Sequence, residues 1–236
     1  MMPTIKSDTP TTPRLTADDS DGNVTIDVDR HQRPRGGAVL NFGTIGAGVV
    51  AQAIAGHLVA AGHKVTLSNS RGPDTLRDVM TQLGPLASAA TVEEAAAADM
   101  VFLTVMWPQV GDALAGLPPW RGRILVDTTN RAPMPPITAD LGVETPSEFV
   151  ANRAPGAHVV KAFNTLYAQY IAADPRHPEG RQLLFYAGDD TAAKATFHEV
   201  ADSLGFAAVD AGSLREGGRL MQIGGPLSGL HALKQD

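Results

Sequence analysis

A short glycine-rich segment has the residue types and spacing needed to hold phosphate groups. The segment "GAGVVA", Gly46 to Ala51, follows an apolar run and opens a helical pattern, and its last position accepts Gly or Ala in dinucleotide-binding turns. Gly46 permits a tight turn, Gly48 lets the backbone approach a pyrophosphate, and Ala51 lets the helix pack closely against a sheet. Backbone N–H groups and the helix dipole would hold the phosphate oxygens. The segment predicts a dinucleotide site, and an ordinary Gly-rich turn is the alternative.

Four polar residues follow the next predicted strand and indicate which dinucleotide binds. Ser68, Asn69, Ser70 and Arg71 stand roughly 20 residues past the glycines, where an NAD site places a carboxylate on the ribose 2′-hydroxyl. A carboxylate would repel a 2′-phosphate, whereas neutral donors and the fork of a guanidinium match phosphate oxygens. The sequence therefore favours NADP(H) over NAD(H). A polar turn with a solvated Arg71 is the alternative.

The elements that must position these residues alternate between apolar runs and helical segments from Ala38 onward. This pattern is typical of βαβ units and predicts an α/β fold, a Rossmann-type doubly wound parallel sheet with a smaller C-terminal α/β portion. The predicted strands are Ala38–Phe42, Lys64–Ser68, Met100–Val105, Ile124–Thr128, Val159–Phe163, Gln182–Ala187 and Ala207–Ala211.

Helix starts are marked by capping residues. Thr91 with Glu94, and Thr145 with Glu148, have the spacing of a capping box, in which each side chain satisfies a free backbone N–H of the first turn. Asp190 is predicted to cap the helix that follows it. The Pro-rich segment Ala132–Pro136 predicts a loop.

The first 37 residues have too few apolar side chains to offset chain entropy, so residues 1–37 are predicted to be a disordered tail. The rest of the 236-residue chain, which is 43% apolar overall, has enough apolar residues for a sizeable core. A net charge of −6 disfavours nucleic acid as a partner. No apolar stretch approaches the roughly 20 residues that span a bilayer, and no secretion signal is seen, so a cytoplasmic location is expected.

Several kinds of catalytic machinery are missing from the sequence. The chain has no cysteine, and it shows no nucleophile elbow, no His pair at metal-ligand spacing and no Tyr-x-x-x-Lys arrangement. We therefore assign no catalytic residue and no metal. His57 and His198, which lie on predicted helices, are interpreted as surface residues.

A set of ordered motifs carries a family resemblance. These are "SNSRGP" from Ser68, "MWP" from Met106, "DTTN" from Asp127, "VVKAFNT" from Val159, "FYAGDD" from Phe185 and "DAGSL...GRL" from Asp210. From Ala38 to about Leu230 the chain resembles the NADPH-dependent coenzyme factor-420 (5-deazaflavin) reductase family. That resemblance implies an NADP-binding Rossmann domain over residues 38–157, and an acceptor-binding and dimerisation portion over residues 158–236 in a homodimer.

The resemblance also implies which residues contact which ligand. Contacts to NADP(H) fall on the glycine loop, the end of the second strand and the residues after two later strands: Gly46, Ala47, Gly48, Val49, Val50, Ser68, Asn69, Ser70, Arg71, Val105, Met106, Trp107 and Asn130. The residues facing the small-molecule redox acceptor are Lys161, Phe163, Asn164, Leu214 and Arg219. In the alternative interpretations, Trp107 starts a helix and fills core space, Lys161 is a solvated strand residue, and Asn164 initiates a helix.

Two hypotheses follow. The first is an NADP(H)-dependent oxidoreductase, with a 5-deazaflavin as the leading acceptor and a flavin, quinone or imine as substitutes. The second is a non-catalytic module that senses NADP(H) through a partner protein. An enzyme needs an open slot over the nicotinamide, whereas a sensor would fill that slot or expose a large apolar patch. The glycine-rich segment Gly217 to Gly229 favours the slot, and a flexible dimer-interface loop is its alternative.

Overall fold

The computed structural model describes residues 40–131 and 144–235. The predicted tail over residues 1–37 and the predicted loop Ala132–Pro136 lie outside these ranges. Within them, the strands are β1 (Asn41–Ile45), β2 (Lys64–Ser68), β3 (Ala87–Ala89), β4 (Met100–Leu103), β5 (Ile124–Asp127), β6 (His158–Ala162), β7 (Arg176–His177), β8 (Gly180–Gly188), β9 (Ala207–Asp210) and β10 (Leu233–Lys234).

Helices connect most of these strands. The α-helices are α1 (Val49–Ala60), α2 (Arg77–Leu83), α3 (Val92–Ala95), α4 (Val110–Leu114), α5 (Pro146–Arg153), α6 (Ala168–Ala172), α7 (Thr191–Ser203) and α8 (Glu216–Met221). Short 3₁₀ turns at Pro73–Leu76 and Trp107–Gln109 precede α2 and α4. No helix within the described ranges is both long and apolar enough to cross a bilayer.

The sheet has the strand order of a doubly wound nucleotide-binding fold. Its order runs β3, β2, β1, β4, β5, β6, and every neighbouring pair in this run is parallel. Strand β8 then joins β6 in the antiparallel direction, and β9 lies parallel to β8. The sheet therefore continues through the predicted boundary at residue 157, and the division into two portions stays a prediction.

Helices cover both faces of the sheet, which confirms the predicted α/β class. One face buries α1, α2, α6 and α7 around Phe42, Phe102 and Phe197. The other face buries α3, α4 and α5 around Leu103 and Leu125, and α8 packs on a smaller cluster beside β8. Because both faces are covered, the central strands are apolar almost throughout, as parallel strands require.

Glycine sets the distance between α3 and β1. The carbonyl oxygen of Ala95 occupies the place that a Cβ at residue 43 would need, so Gly43 alone lets α3 approach this strand. The sequence did not predict this contact, because Ala95 is distant from Gly43 in the chain and no residue near Gly43 indicates that a helix packs against it.

Most predicted elements are confirmed with small shifts in their bounds. Strand β2 has the predicted bounds, whereas β1 begins three residues later than predicted. Strands β3, β7 and β10 were missed because they have only two or three residues each. Both capping boxes form, and the Asp190 side chain accepts a hydrogen bond from the Ala193 N–H at 2.7 Å.

The prediction that His57 is a surface residue is wrong. Its Nε2 lies 2.6 Å from the Ile171 carbonyl oxygen, and its ring meets the Phe206 ring edge-on. Burial lowers the pKa of His57 and outweighs the Ile171 hydrogen bond and the nearby Asp174 carboxylate, which both raise it. Burial also lowers the pKa of His63. The helical pattern placed His57 on α1 without showing that α6 packs over that face.

These two histidines predict how stability depends on pH. Their folded-state pKa values lie below the value of about 6.5 in an unfolded chain. The unfolded chain therefore binds more protons, and stability that is complete above about pH 6.5 is lost as the pH falls further. We expect the urea midpoint to fall between pH 7 and pH 5.5, and to fall less steeply in the double variant H57Q/H63Q. An equal slope in that variant would assign the acid sensitivity to other groups.

Candidate functional site

The predicted cofactor-binding residues meet along one edge of the sheet. Strands β1, β2, β4, β5 and β6 are parallel neighbours, so their carboxyl ends and the loops that follow lie at the same edge. The strand order reverses beside β1, where the chain continues to β2 on one side and β4 lies on the other. Crevices at such switch points are where open α/β sheets bind ligands.

The turn after β1 requires glycine at its first position. Gly46 has φ +107°, and its N–H donates to the Ser68 carbonyl oxygen at 3.0 Å. A Cβ at this position would lie 2.7 Å from Thr104 Oγ1. Both the backbone conformation and the close approach of the loop after β4 therefore exclude a side chain here.

Two side chains fix the direction of the peptide groups in this turn. Thr44 Oγ1 donates to the Gly46 carbonyl oxygen at 2.7 Å, and Gln52 Nε2 donates to the Ala47 carbonyl oxygen at 2.9 Å. In a trans peptide the N–H points away from the C=O. The N–H groups of Ala47 and Gly48 are therefore turned away from Thr44 and Gln52. Sequence reasoning missed both side chains, although Thr44 stands only two residues before the first glycine.

The N-terminus of α1 has neither a side-chain cap nor an acidic residue in its first turn, among the residues that the structure describes, and Gly48 is its N-cap residue. The first N–H groups of a helix have no intrahelical acceptor and carry the positive end of the dipole. A Cβ at Gly48 would meet no protein atom within 4 Å, so the fold itself does not require glycine there.

Large apolar side chains stand exposed beside this turn. Val49 is 62% exposed and Met106, just after β4, is 74% exposed. Val50 and Val105 are half-buried and pack against the cores of opposite sheet faces. Because Val49 and Val50 have no polar atoms, an anion at this end of α1 would be held by backbone N–H groups alone.

In the loop after β2, two residues make hydrogen bonds within the protein and two others are exposed donors. Ser68 is fully buried, and its hydroxyl donates to the Thr44 carbonyl oxygen at 2.6 Å. Asn69 Nδ2 donates to Thr75 Oγ1 at 2.9 Å, and Asn69 Oδ1 accepts from the Arg71 N–H at 2.9 Å. Ser70 and Arg71 are exposed. The Ser68 side chain therefore faces the protein and Asn69 shapes the turn, and the predicted nucleotide contacts of both residues stay predictions.

Charges near this loop leave the Arg71 guanidinium available. The nearest acid along the chain, Asp74, pairs with Arg77 at 2.9 Å. Within residues 40–131 and 144–235, no hydrogen bond or ion pair engages the Arg71 guanidinium. The carboxyl end of β2 thus exposes the Ser70 hydroxyl and the Arg71 guanidinium, and the sequence Ser68–Arg71 contains no carboxylate where an NAD site would use one.

The loop after β4 ends in an aromatic contact. Trp107 is half-buried, and its ring lies 5.1 Å from the Phe149 ring of α5, centroid to centroid. The Arg153 guanidinium lies 3.2 Å from the centroid of the other ring, Phe149. Trp107 therefore starts a 3₁₀ turn and fills core space, as its alternative interpretation predicted. Its predicted contact with the nicotinamide stays a prediction.

The loops after β5 and β6 are joined by a reciprocal pair of amides. Asn130 Nδ2 donates to the Asn164 carbonyl oxygen at 2.8 Å, and Asn164 Nδ2 donates to Asn130 Oδ1 at 3.1 Å. Asn164 Nδ2 also donates to the Met221 carbonyl oxygen at the end of α8, at 2.8 Å. The structure thus brings together one residue predicted for the cofactor and one predicted for the acceptor.

Three residues predicted to face the acceptor are instead buried. Lys161 is 1% exposed, and its Nζ lies 3.1 Å from Asp127 Oδ2, so it is not a solvated residue, and its predicted acceptor contact stays a prediction. Phe163 is 2% exposed and packs against Phe102, Phe197 and Phe206. Leu214 is 3% exposed in the core below α5. Arg219 of α8 is half-buried, and its predicted acceptor contact stays a prediction.

Phe163 has a second structural function. Its φ of +63° is rare for a bulky residue, and such a conformation persists only where its surroundings hold it. The aromatic cluster holds the Phe163 ring, so the chain turns sharply at the end of β6. This turn sends Asn164 towards Asn130 and α8.

The glycines near α8 serve packing. A Cβ at Gly217 would lie 2.6 Å from the Ala211 carbonyl oxygen and 2.8 Å from the Ala187 Cβ. Gly225 would similarly collide with backbone carbonyls of the preceding turn. Gly217 therefore lets α8 sit against β8, and Gly225 permits the turn after α8, whereas a Cβ at Gly224 or Gly229 would meet no described atom within 4 Å.

Comparison with known proteins identifies related chains. Residues 41–131 match the family model described as NADP oxidoreductase, coenzyme F420-dependent. A hypothetical protein from Sinorhizobium meliloti of known structure is 38% identical with a TM-score of 0.76, over 83% of this chain and 96% of that protein. A structure described as an F420-dependent NADP-reductase from Arthrobacter sp. FB24 is 26% identical with a TM-score of 0.57, over 75% and 86% of the two chains.

A curated relative matches over part of its length. Metalloreductase STEAP3 of Rattus norvegicus is 31% identical over 173 residues, which is 73% of this chain and 34% of that protein. The chain therefore spans about a third of the length of this relative.

Two glycines of the turn predict separable effects. Gly46→Ala should destabilise the fold by about 1–3 kcal/mol, because a strained φ is forced on a residue with a Cβ. Gly48→Ala should lower stability by less than about 1 kcal/mol, since Ala is a poorer N-cap than Gly, yet weaken NADPH binding about tenfold or more, because the added Cβ lies where a pyrophosphate would approach.

Gly111→Ala in α4 is the matched control for Gly48→Ala, since a Cβ there also meets nothing within 4 Å. Urea unfolding and NADPH titration measure the two effects. Unchanged NADPH affinity in Gly48→Ala would show that no ligand approaches this backbone.

Proposed function

The chain belongs to the family described as NADP oxidoreductase, coenzyme F420-dependent, and on that premise we propose that it transfers hydride between NADPH and a 5-deazaflavin coenzyme. The observation that carries the cofactor half of this proposal is the carboxyl end of β2. There Ser70 and Arg71 are exposed donors, and no carboxylate of residues 40–131 or 144–235 pairs with Arg71. The deazaflavin half is supported by family membership.

The described residues fit a dinucleotide in three places. The free N–H groups at the start of α1 would bind the pyrophosphate. Ser70 and Arg71 would bind the 2′-phosphate, since a guanidinium offers two parallel donors to phosphate oxygens. The Asn130–Asn164 pair would lie at the nicotinamide end, at the carboxyl ends of β5 and β6. A buried acceptor supports this last position, because Asn164 Oδ1 has no hydrogen-bond partner among the described residues.

The proposed reaction needs the protein mainly to orient the two reacting rings. The bound nicotinamide supplies the hydride, which would pass from its C4 to C5 of the deazaflavin without an obligatory side-chain proton in the same step. The protein residues would hold the two rings in contact and exclude water. Exposed apolar Val49 and Met106 suit this task, since they cover a ligand without competing for its hydrogen bonds.

A hydride-transfer assay tests the proposal directly. Purified protein with NADPH is offered oxidised deazaflavin coenzyme, FMN, FAD or a simple quinone, and oxidation of NADPH is followed by absorbance. We expect turnover with the deazaflavin. Turnover with another acceptor alone would replace the proposed substrate, and tight NADPH binding without any turnover would favour the sensor hypothesis.

Arg71→Ala predicts a change in nucleotide selectivity. NADPH binding should weaken by roughly 1.5–3 kcal/mol, the value of a charge-assisted contact, whereas NADH binding should hardly change. Titrations of both nucleotides into the variant and the wild type measure this difference.

Arg77→Ala is the matched control, because Arg77 lies in the same exposed segment but pairs with Asp74. It should leave both affinities nearly unchanged. Equal weakening of NADPH and NADH by Arg71→Ala would show that Arg71 does not contact the 2′-phosphate.

A further inference from the structure

A buried ion pair lies directly beneath the loops at the nicotinamide end of the site. Asp127 is the last residue of β5, and Lys161 is its register partner on β6. Their side chains are 0% and 1% exposed, and Lys161 Nζ lies 3.1 Å from Asp127 Oδ2. The other ion pairs of the described residues have at least one partially exposed side chain.

The Asp127 carboxylate is fully engaged by neighbouring donors. Oδ1 accepts from the Thr129 N–H at 2.9 Å and from Thr129 Oγ1 at 2.7 Å. Oδ2 accepts from Lys161 Nζ and from Ser147 Oγ, the latter at 2.9 Å. Lys161 Nζ donates in turn to the Thr129 carbonyl oxygen at 2.9 Å. Thr129 is thus held at its N–H, its hydroxyl and its carbonyl by the two charged residues.

Holding Thr129 fixes the residue beside it. Asn130 follows Thr129 directly, and its amide is joined to Asn164 in both directions. Asn164 continues the connection to the Met221 carbonyl oxygen of α8. Hydrogen bonds from the buried ion pair thus hold Thr129, the peptide bond joins Thr129 to Asn130, and further hydrogen bonds connect Asn130 to the end of β6 and to α8.

We propose that Asp127 and Lys161 are positioning residues, which hold the loop at Thr129 and Asn130 in the geometry that binds the nicotinamide half of NADP(H). This inference rests on the proposed function. Neither residue touches the cofactor, and both act through Thr129. A buried ion pair often contributes little net stability compared with apolar residues of similar size. Here the ion pair fixes the orientation of Thr129, since three separate hydrogen bonds join the two charged residues to it.

Two neutral variants separate positioning from stability. Thr129→Val removes the hydroxyl donor of the loop, and Ser147→Ala removes the hydroxyl donor of α5 from the same carboxylate. Each variant deletes one buried hydrogen bond to Asp127, so their effects on the urea midpoint should be similar. Only Thr129→Val acts on the loop that carries Asn130.

The readout compares two ligands that share the adenosine half. NADPH contains the nicotinamide, and 2′,5′-ADP lacks it. We expect Thr129→Val to weaken NADPH about tenfold, as loss of a buried contact implies, and to leave 2′,5′-ADP affinity unchanged. Ser147→Ala should change both affinities less than twofold, within the spread of a residue outside the site. Of these two variants, only Thr129→Val should have a lower kcat for hydride transfer.

The double variant D127N/K161M tests the ion pair itself. Removing Lys161 alone would leave a buried unpaired carboxylate and risk unfolding, whereas the double variant removes both charges together. We expect it to fold and to retain 2′,5′-ADP affinity, while losing NADPH affinity and hydride transfer as Thr129→Val does.

Three outcomes would overturn the inference. Wild-type NADPH affinity and kcat in both Thr129→Val and the double variant would make the pair purely structural. Equal losses for NADPH and 2′,5′-ADP would show a general loosening of the fold. Absence of NADPH binding to the wild-type protein would remove the proposed function and this inference with it, a failure that the variants alone could not produce.

Discussion

The site depends on hydrogen bonds from side-chain hydroxyls to the last carbonyls of the parallel strands. Ser68 donates to the Thr44 carbonyl and Thr44 to the Gly46 carbonyl, while Thr104 and Thr128 donate to the Ile45 and Leu103 carbonyls. The Ile45 and Leu103 carbonyls also accept backbone N–H groups from Thr104 and Thr128, so each hydroxyl adds a second hydrogen bond that holds the following loop. These hydroxyls are directed into the protein. As a result, the loops after β1, β2, β4 and β5 are held on the side that faces the sheet. The N–H groups at the start of α1 and the Arg71 guanidinium face solvent.

The two phosphate sites that we propose use different chemistry because their positions differ. At α1 the donors are backbone N–H groups, whose direction is set by Thr44 and Gln52 and does not depend on a flexible side chain. At β2 the donor is Arg71, a mobile cation whose attraction is weakened by salt. The chain carries a net charge of −6, so anion binding must come from these local groups. General electrostatic attraction cannot supply it.

Features that depend on local sequence could be predicted, and features that depend on strand register could not. The glycine turn, the capping boxes and the order of β and α segments follow from residues within a few positions of each other. By contrast, Lys161 reads as an exposed strand residue until Asp127 is placed beside it, and 34 positions separate them. The burial of Ser68 and Phe163 could not be predicted for the same reason, since the residues that they contact, Thr44 and Phe206, are distant in the sequence. A motif such as "DTTN" marks the place without showing which of its residues faces inward.

Pairing Lys161 with Asp127 also has an electrostatic consequence for a redox site. Oxidation of NADPH leaves a positive charge on the nicotinamide ring, and a lone buried ammonium nearby would oppose that charge in a medium of low dielectric constant. A lone carboxylate would favour it and so bias the equilibrium in the other direction. The paired charges largely cancel at a distance, while their hydrogen bonds to Thr129 remain directional. If the nicotinamide binds where we propose, the paired charges would give the loop a fixed geometry with little effect on the direction of hydride transfer, a combination that neither charge could provide alone.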